Sequence, residues 1–212
     1  MAFSGWPHEA LTFYEGLEAD NSKPYWTAHK AVYDAAVHAP MAELIEELAA
    51  ELGPVFGAAE AKIFRPYRDI RFSADKTPYK THIGATIGQN AYVQFSADGL
   101  GSGAGMWHLD TERLTAYRSA VAAGSSGERL EEIIAGIEKA GHEIHGHDTL
   151  KSAPRGYAGD HPRIALLRHK GLTSWQQWTP GPWLTTAEAK DRVLEFQRAS
   201  WPLVEWLREH AR

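Results

Sequence analysis

The sequence predicts an α+β protein, one domain over residues 1–212 with a mostly antiparallel meander sheet packed by N-terminal, middle and C-terminal helices. Three observations carry that expectation. Apolar residues recur at helical spacing through the first 53 residues. The chain then turns to short β-branched and aromatic runs separated by turn residues, and helical spacing returns from Asp110 onward.

Leu11, Phe13, Tyr14 and Leu17 lie close to a 3.6-residue period, and Asn21-Ser22-Lys23-Pro24 breaks it. A second helix is expected from Pro24 to Val37, with Pro40 ending or kinking it because proline lacks a donor and crowds the preceding turn. Met41, Leu44, Ile45, Leu48 and Leu52 form an apolar stripe that Gly53-Pro54 should stop. Residues 61–73, 81–87, 91–95 and 103–108 read as strands, with Gly88-Gln89-Asn90 and Asp98-Gly99 as turns. Asp110 is placed to cap a helix carrying Leu114, Tyr117 and Val121. Ser125 and Glu128 have capping-box spacing before Leu130, Ile133 and Ile137. Residues 141–160 read as a Gly- and His-rich loop. Asp160-His161-Pro162 should start a short helix, with Asp160 as its cap. Residues 172–179 suit a strand, and Thr185 with Glu188 a second capping box before a long helix through Val193, Phe196, Trp201, Val204 and Leu207.

Composition narrows the function classes. A chain of 212 residues that is 43% hydrophobic is long enough to bury a core, and its 8 Trp, 8 Tyr and 7 Phe argue against disorder. No run of about 18 apolar residues exists, so no membrane span is expected. The N-terminus has no basic start followed by an apolar run, so no signal peptide is expected. The absence of Cys removes disulfides, thiol catalysis and Cys-ligated zinc, and suits the cytoplasm. The net charge of −5 argues against general nucleic-acid affinity.

The most informative segment is R-P-Y-R-D-I-R-F-S-A-D-K-T-P-Y-K-T-H, residues 65–82. Lys62 to His82 holds six Lys/Arg against two Asp, a net +4 that leaves −9 for the rest of the chain. If residues 64–72 are one strand, Arg65, Tyr67, Asp69 and Arg71 share one face, and Phe64, Arg68, Ile70 and Phe72 the other. Guanidinium forks suit phosphate and carboxylate, and Lys76 and Lys80 would add point charges. The candidate ligand-binding set is therefore Arg65, Arg68, Asp69, Arg71, Asp75, Lys76, Tyr79 and Lys80, with Arg155 and His161 as further members. The same Arg/Asp alternation also suits a salt-bridge network that only braces the fold.

This string resembles the hallmark of a bacterial family of unknown function, number 2461 in the domain-of-unknown-function series. Trp26, Lys30, Tyr33 and Pro40 resemble its N-terminal W…K…Y…P segment, with Tyr25-Trp26 where the family order is Trp-Phe. Gly103-Ala104-Gly105-Met106-Trp107 resembles its glycine-containing strand. Ala153-Pro154-Arg155-Gly156-Tyr157 with Asp160-His161-Pro162 resembles its later PRGY…DHP segment. The resemblance spans nearly the whole chain. It implies an intracellular α+β domain and no particular activity.

Other constellations carry less. His142, Glu143, His145, His147 and Asp148 lack the H-E-x-x-H spacing and read as a solvated loop rather than a metal site. Asp160 and His161 near Arg155 suit either an anion-facing helix start with His161 as acid or base, or simple capping and packing. Gly99, Gly101, Gly103 and Gly105 match no nucleotide loop; a bare strand face covered by Trp107, Trp175 or Trp178 is expected. Trp175, Trp178 and Trp183 beside Gln176 and Gln177 read as packing ahead of a sugar or base platform. Ser73 and Ser152 have no context that marks a nucleophile. No cofactor is expected. The leading function is a binding or enzymatic domain for a small anionic ligand. The alternative is an interaction or regulatory domain braced by the Arg/Asp network, and nucleic-acid binding ranks last.

Overall fold

The computed structural model describes residues 2–56 and 60–212. It is an α+β protein with a six-stranded antiparallel sheet in the order β1-β2-β3-β4-β6-β5. The strands are β1 (Ala61–Ile63), β2 (His82–Ile87), β3 (Ala91–Ser96), β4 (Gly99–Met106), β5 (Glu143–His147) and β6 (Gly171–Trp178). The first four neighbours follow chain order, as a meander does; the last two are reversed. By compactness the chain divides into Met1–Ser102 with Gln177–Glu195, and Gly103–Gln176 with Phe196–Arg212.

In the first unit, α1 (His8–Ala19) turns its expected stripe inward: Phe13, Tyr14 and Leu17 are buried. Ser22 caps α2 (Lys23–Val32) by accepting from the Tyr25 N–H, with Pro24 in the first turn where its missing donor costs nothing. Pro40 does not end this helix. A π-helical stretch, Tyr33–His38, runs directly into α3 (Ala39–Phe56), and Ala39 N–H donates to Asp34 O, five residues back. The widened turn relieves the crowding a proline ring imposes on the turn before it. Gly53 and Pro54 do not stop α3 either, whose backbone remains helical to Phe56. Its stripe, Met41, Leu44, Ile45, Leu48 and Leu52, is buried as expected.

The β2–β3 hairpin pairs His82 with Ser96 through Ile87 with Ala91. Alternation sends Ile83, Ala85, Ile87, Val93 and Phe95 into the core. Trp6 stacks on Phe95 at 4.7 Å there. His82, Thr86, Tyr92 and Gln94 take the opposite face and are half-buried. The expected strand over 61–73 is corrected: β1 ends at Ile63, and only an isolated bridge, Tyr67 with Tyr79, lies beyond it. Pro66 and Pro78 flank that bridge, and neither can donate to extend it.

In the second unit, Asp110 caps α4 (Thr111–Ala122) through a 2.9 Å bond from Arg113 N–H, as its position predicts. The Ser125/Glu128 capping box is not formed. Ala123 alone separates α4 from α5 (Gly124–Lys139), so Ser125 already lies in the first turn. The His-rich segment is strand β5 rather than loop, paired with β6 from Glu143–Trp175 to His147–Gly171. Asp160 caps nothing: α6 (Ile164–Leu167) begins later, because His161 Nδ1 accepts from Arg163 N–H at 3.0 Å and closes a turn first. Before α7 (Glu188–His210), it is Thr186, not Thr185, whose hydroxyl accepts from Glu188 N–H, at 3.3 Å. Leu130, Ile133, Leu172, Leu203 and Trp206 belong to one buried cluster in this unit. A Cβ on Gly103 would lie 3.1 Å from the Trp175 ring, so that tryptophan covers the strand at Gly103 as expected, whereas at Gly105 a Cβ would meet the Leu172 carbonyl at 2.4 Å, so backbone approaches there instead.

Candidate functional site

The basic segment is a loop pinned at its neck. Arg68 N–H donates to Pro78 O at 2.9 Å and Lys80 N–H to Pro66 O at 2.8 Å, on either side of the Tyr67–Tyr79 bridge. Tyr79 is buried, its ring stacked on Trp26 at 4.5 Å with 9° between planes. Asn21 clamps the same residue: its Nδ2 donates to Tyr79 O and its Oδ1 accepts from Tyr79 N–H, both at 3.0 Å. The amide imitates a neighbouring strand for one residue. Trp26 in turn packs on Tyr33 at 4.8 Å and Phe13 at 5.9 Å. The loop neck is thereby tied to α1 and α2, and Tyr79 is an anchor.

Both carboxylates of the loop are engaged. Arg71 grips Asp69 with two prongs, Nε to Oδ1 at 2.9 Å and Nη2 to Oδ2 at 2.6 Å. That pair is solvent-facing, with the Arg71 side chain 76% exposed. The Arg71 fork, then its backbone N–H, hold the Asp69 carboxyl below the usual range. Arg68 Nη1 bonds Asp75 Oδ2 and Thr77 Oγ1, while Thr77 N–H donates to Asp75 Oδ1 at 2.9 Å. These bonds, the Thr77 backbone first and Arg68 second, hold Asp75 down at about 2. Lys76 Nζ donates to Ile70 O at 3.0 Å. Arg65, Tyr67, Asp69 and Arg71 therefore do not act as one strand face; the turn chemistry of Asp75 and the two prolines decide where each charge goes.

Arg65 and Lys80 have no carboxylate partner among the described residues. Lys80 is half-buried, its ammonium 5.4 Å from the Phe64 ring centre. Burial, and then the positive charge of Arg65, push its pKa down. His82, two residues on, is pushed down by burial and then by Lys80. Two basic groups, Arg65 and His82, thus stand in electrostatic reach of Lys80: Arg65 disfavours the charge of Lys80, and Lys80 that of His82. The Arg65 charge also reaches Asp69. Around them on the outward sheet face, Phe64 N–H donates to Gly84 O at 2.8 Å. The Tyr92 ring lies over Gly84, where a Cβ would be 2.5 Å from its hydroxyl. Tyr92 Oη donates to Gln94 Oε1 at 3.2 Å, and the Phe64 and Tyr92 ring centres are 6.4 Å apart. His82 was not singled out from the sequence. Its signal was the i, i+2 spacing from Lys80 at the start of a strand.

The remaining candidates lie in the second unit. Arg155 is exposed in a turn closed by Tyr157 N–H to Pro154 O at 3.1 Å. His161 holds the turn before α6, so its Nδ1 is occupied as an acceptor. His142, just before β5, and the histidines of β5 face different partners: His142 Gln176, His145 Glu143, and His147 both Thr173 and the Trp107 ring at 3.7 Å. Among the described residues no three His, Asp or Glu side chains form a group that could hold a metal. In the first unit Trp183 packs under Arg192 at 4.5 Å, and Gln177 Nε2 donates to Asp98 O at 3.2 Å.

Fold and loop together define an α+β protein whose antiparallel sheet has a helix-packed core face and a strand edge carrying a pinned basic loop. The chain belongs to the family described as conserved hypothetical protein, DUF2461, whose sequence model matches residues 9–206. No curated protein matches the sequence. Among solved structures it is similar to a conserved hypothetical protein from Pyrococcus furiosus, at 15% identity over 84% of this chain and 98% of that one, with a TM-score of 0.40. No helix among the described residues is long and apolar enough to cross a membrane.

Proposed function

We propose that this protein binds a small ligand bearing a phosphate or carboxylate, held by Arg65 and Lys80 with His82 beside them. The observation that carries the reading is half-buried Lys80, its ammonium over the Phe64 ring and in electrostatic reach of Arg65 and His82, with no carboxylate partner among the described residues. A cation removed from water without a counter-charge is costly, and two further basic groups beside it add repulsion. An incoming oxyanion reverses both effects. In this reading Arg68, Asp69, Arg71 and Asp75 shape the loop, because their charges already satisfy one another.

The test is titration with inorganic phosphate and with citrate at constant ionic strength, read by the His82 ring signals in NMR. Saturable binding should raise the His82 pKa, since an anion stabilises its charged form. Lys80→Met and Arg65→Ala should remove the response and Arg71→Ala should keep it. A His82 titration indifferent to both anions sinks the reading, as does a response lost in Arg71→Ala and retained in Lys80→Met.

A further inference from the structure

The outward face beside these cations carries something an anion alone does not need. The solvent side of an antiparallel sheet ordinarily shows polar or charged side chains. Here, next to Lys80 and His82, it shows two aromatic rings, Phe64 and Tyr92, tilted 34° to one another at 6.4 Å. Gly84 is bare beside them, and the hydroxyl end of the Tyr92 ring occupies the space a Cβ would take there. Gln94 completes the edge. Its Oε1 is taken by Tyr92 Oη, while its amide Nε2 has no hydrogen-bond partner among the described residues. The Phe64 ring already seats the Lys80 ammonium, which fixes the cation at the border of the apolar patch. Cationic groups, a ring-built rim and one unused amide donor stand together on one face.

We infer that the ligand of this site is a ring-bearing anion, whose phosphate or carboxylate meets Arg65 and Lys80 while a flat ring packs against Phe64 and Tyr92 and presents an acceptor to Gln94. The inference rests on the anion reading above and adds the class of the ligand's body. Aromatic packing contributes beyond simple area burial, and Gln94 Nε2 would select rings that carry a carbonyl or ring nitrogen.

Inorganic phosphate, phenyl phosphate and uridine monophosphate are the probes, compared by calorimetry on the wild-type chain at fixed ionic strength. Phenyl phosphate should bind about tenfold more tightly than inorganic phosphate, and uridine monophosphate more tightly still. Phe64→Leu keeps apolar volume without the ring and should bring the affinity for phenyl phosphate close to that for inorganic phosphate measured on the same variant. Gln94→Ala should remove the added preference for uridine monophosphate and leave phenyl phosphate unchanged. If phenyl phosphate binds no better than inorganic phosphate, or keeps its advantage in Phe64→Leu, the ring inference is overturned while anion binding stands. If no probe binds, the anion reading falls and the inference with it.

Discussion

Two of the three glycines of helix α5, Gly127 and Gly136, should respond in opposite ways to replacement by alanine. Alanine is the better helix former by roughly 1 kcal/mol, so propensity alone predicts stabilisation at both sites. At Gly136 a Cβ meets nothing within 4 Å, and that gain should be realised. At Gly127 a Cβ would lie 2.3 Å from Val121 O, 2.7 Å from Arg163 Nη1 and 2.9 Å from Arg163 Cζ. The first of these is backbone and cannot step aside. Nor is Arg163 a loose chain end: its side chain is 11% exposed, and its Nε donates to Glu131 at 2.7 Å while its Nη1 reaches Val121 O and Ala123 O. Overpacking of this kind costs about 1–3 kcal/mol, and disturbing a charged group's bonds costs more, so the propensity gain is outweighed. Gly127→Ala should lose about 1–3 kcal/mol and Gly136→Ala should gain roughly 0.5–1 kcal/mol. In a chain of this size that is a fall of about 5 °C against a rise of about 2 °C in Tm. Urea and thermal denaturation followed by far-UV dichroism give both numbers. A Gly127→Ala variant as stable as wild type would show that Arg163 and the end of α4 can yield, and would refute the packing argument.

Two further predictions concern the loop and its surroundings. Asn21→Ala should cost about 1–3 kcal/mol, because it strips Tyr79 of partners for both its N–H and its C=O; loss of hydrogen-exchange protection at Tyr79 is the readout, and unchanged protection would show that water replaces the amide. Stability should fall as pH drops through 6.5, since burial lowers the ring pKa of His82, His147 and His169 and the unfolded chain binds protons first. A second loss should follow between 3.8 and about 2 as Asp75 protonates. If His82 titrates in NMR at or above 6.5 in the absence of added anion, the electrostatic picture of its site is wrong.

What the sequence disclosed was chiefly local. The stripe of α3, the Asp110 cap and the β2–β3 hairpin each follow from residues a few positions apart, where period and turn chemistry act directly. The errors share a different character. Pro40 was expected to end or kink a helix; the helix does not end there, because a proline's crowding is relieved by one widened turn when the next helix is already buried by its own stripe. Ser125 and Asp160 have capping chemistry, yet a single-residue break at Ala123 and a His161 turn take the helix starts elsewhere. The neck of the basic loop depends on Asn21, 58 residues from Tyr79, and no local pattern predicts that pairing. A warning was nevertheless present in the string itself, since Pro66 and Pro78 are poor members of an extended ladder.

The inventory of charges was legible as well, whereas their roles depend on which cations find a carboxylate nearby in the chain. Asp69 and Arg71 are two residues apart and pair within the loop; Asp75 meets Arg68 because Thr77 folds the loop back on it. Such pairs need only a turn, and they remove two of the five loop cations from any contest for a ligand. Lys80 differs because its backbone is tied to Pro66 and its ammonium is seated on Phe64, where no acidic side chain is paired with it among the described residues. Lys80, tied to the fold by its backbone, is thus left without a counter-charge among the described residues, whereas the solvent-facing Arg71 has one. That inversion, with the exposed forks of Arg71 satisfied and the amine of half-buried Lys80 unsatisfied, is why Lys80→Met and Arg71→Ala separate an anion site from a brace more cleanly than any change in total charge.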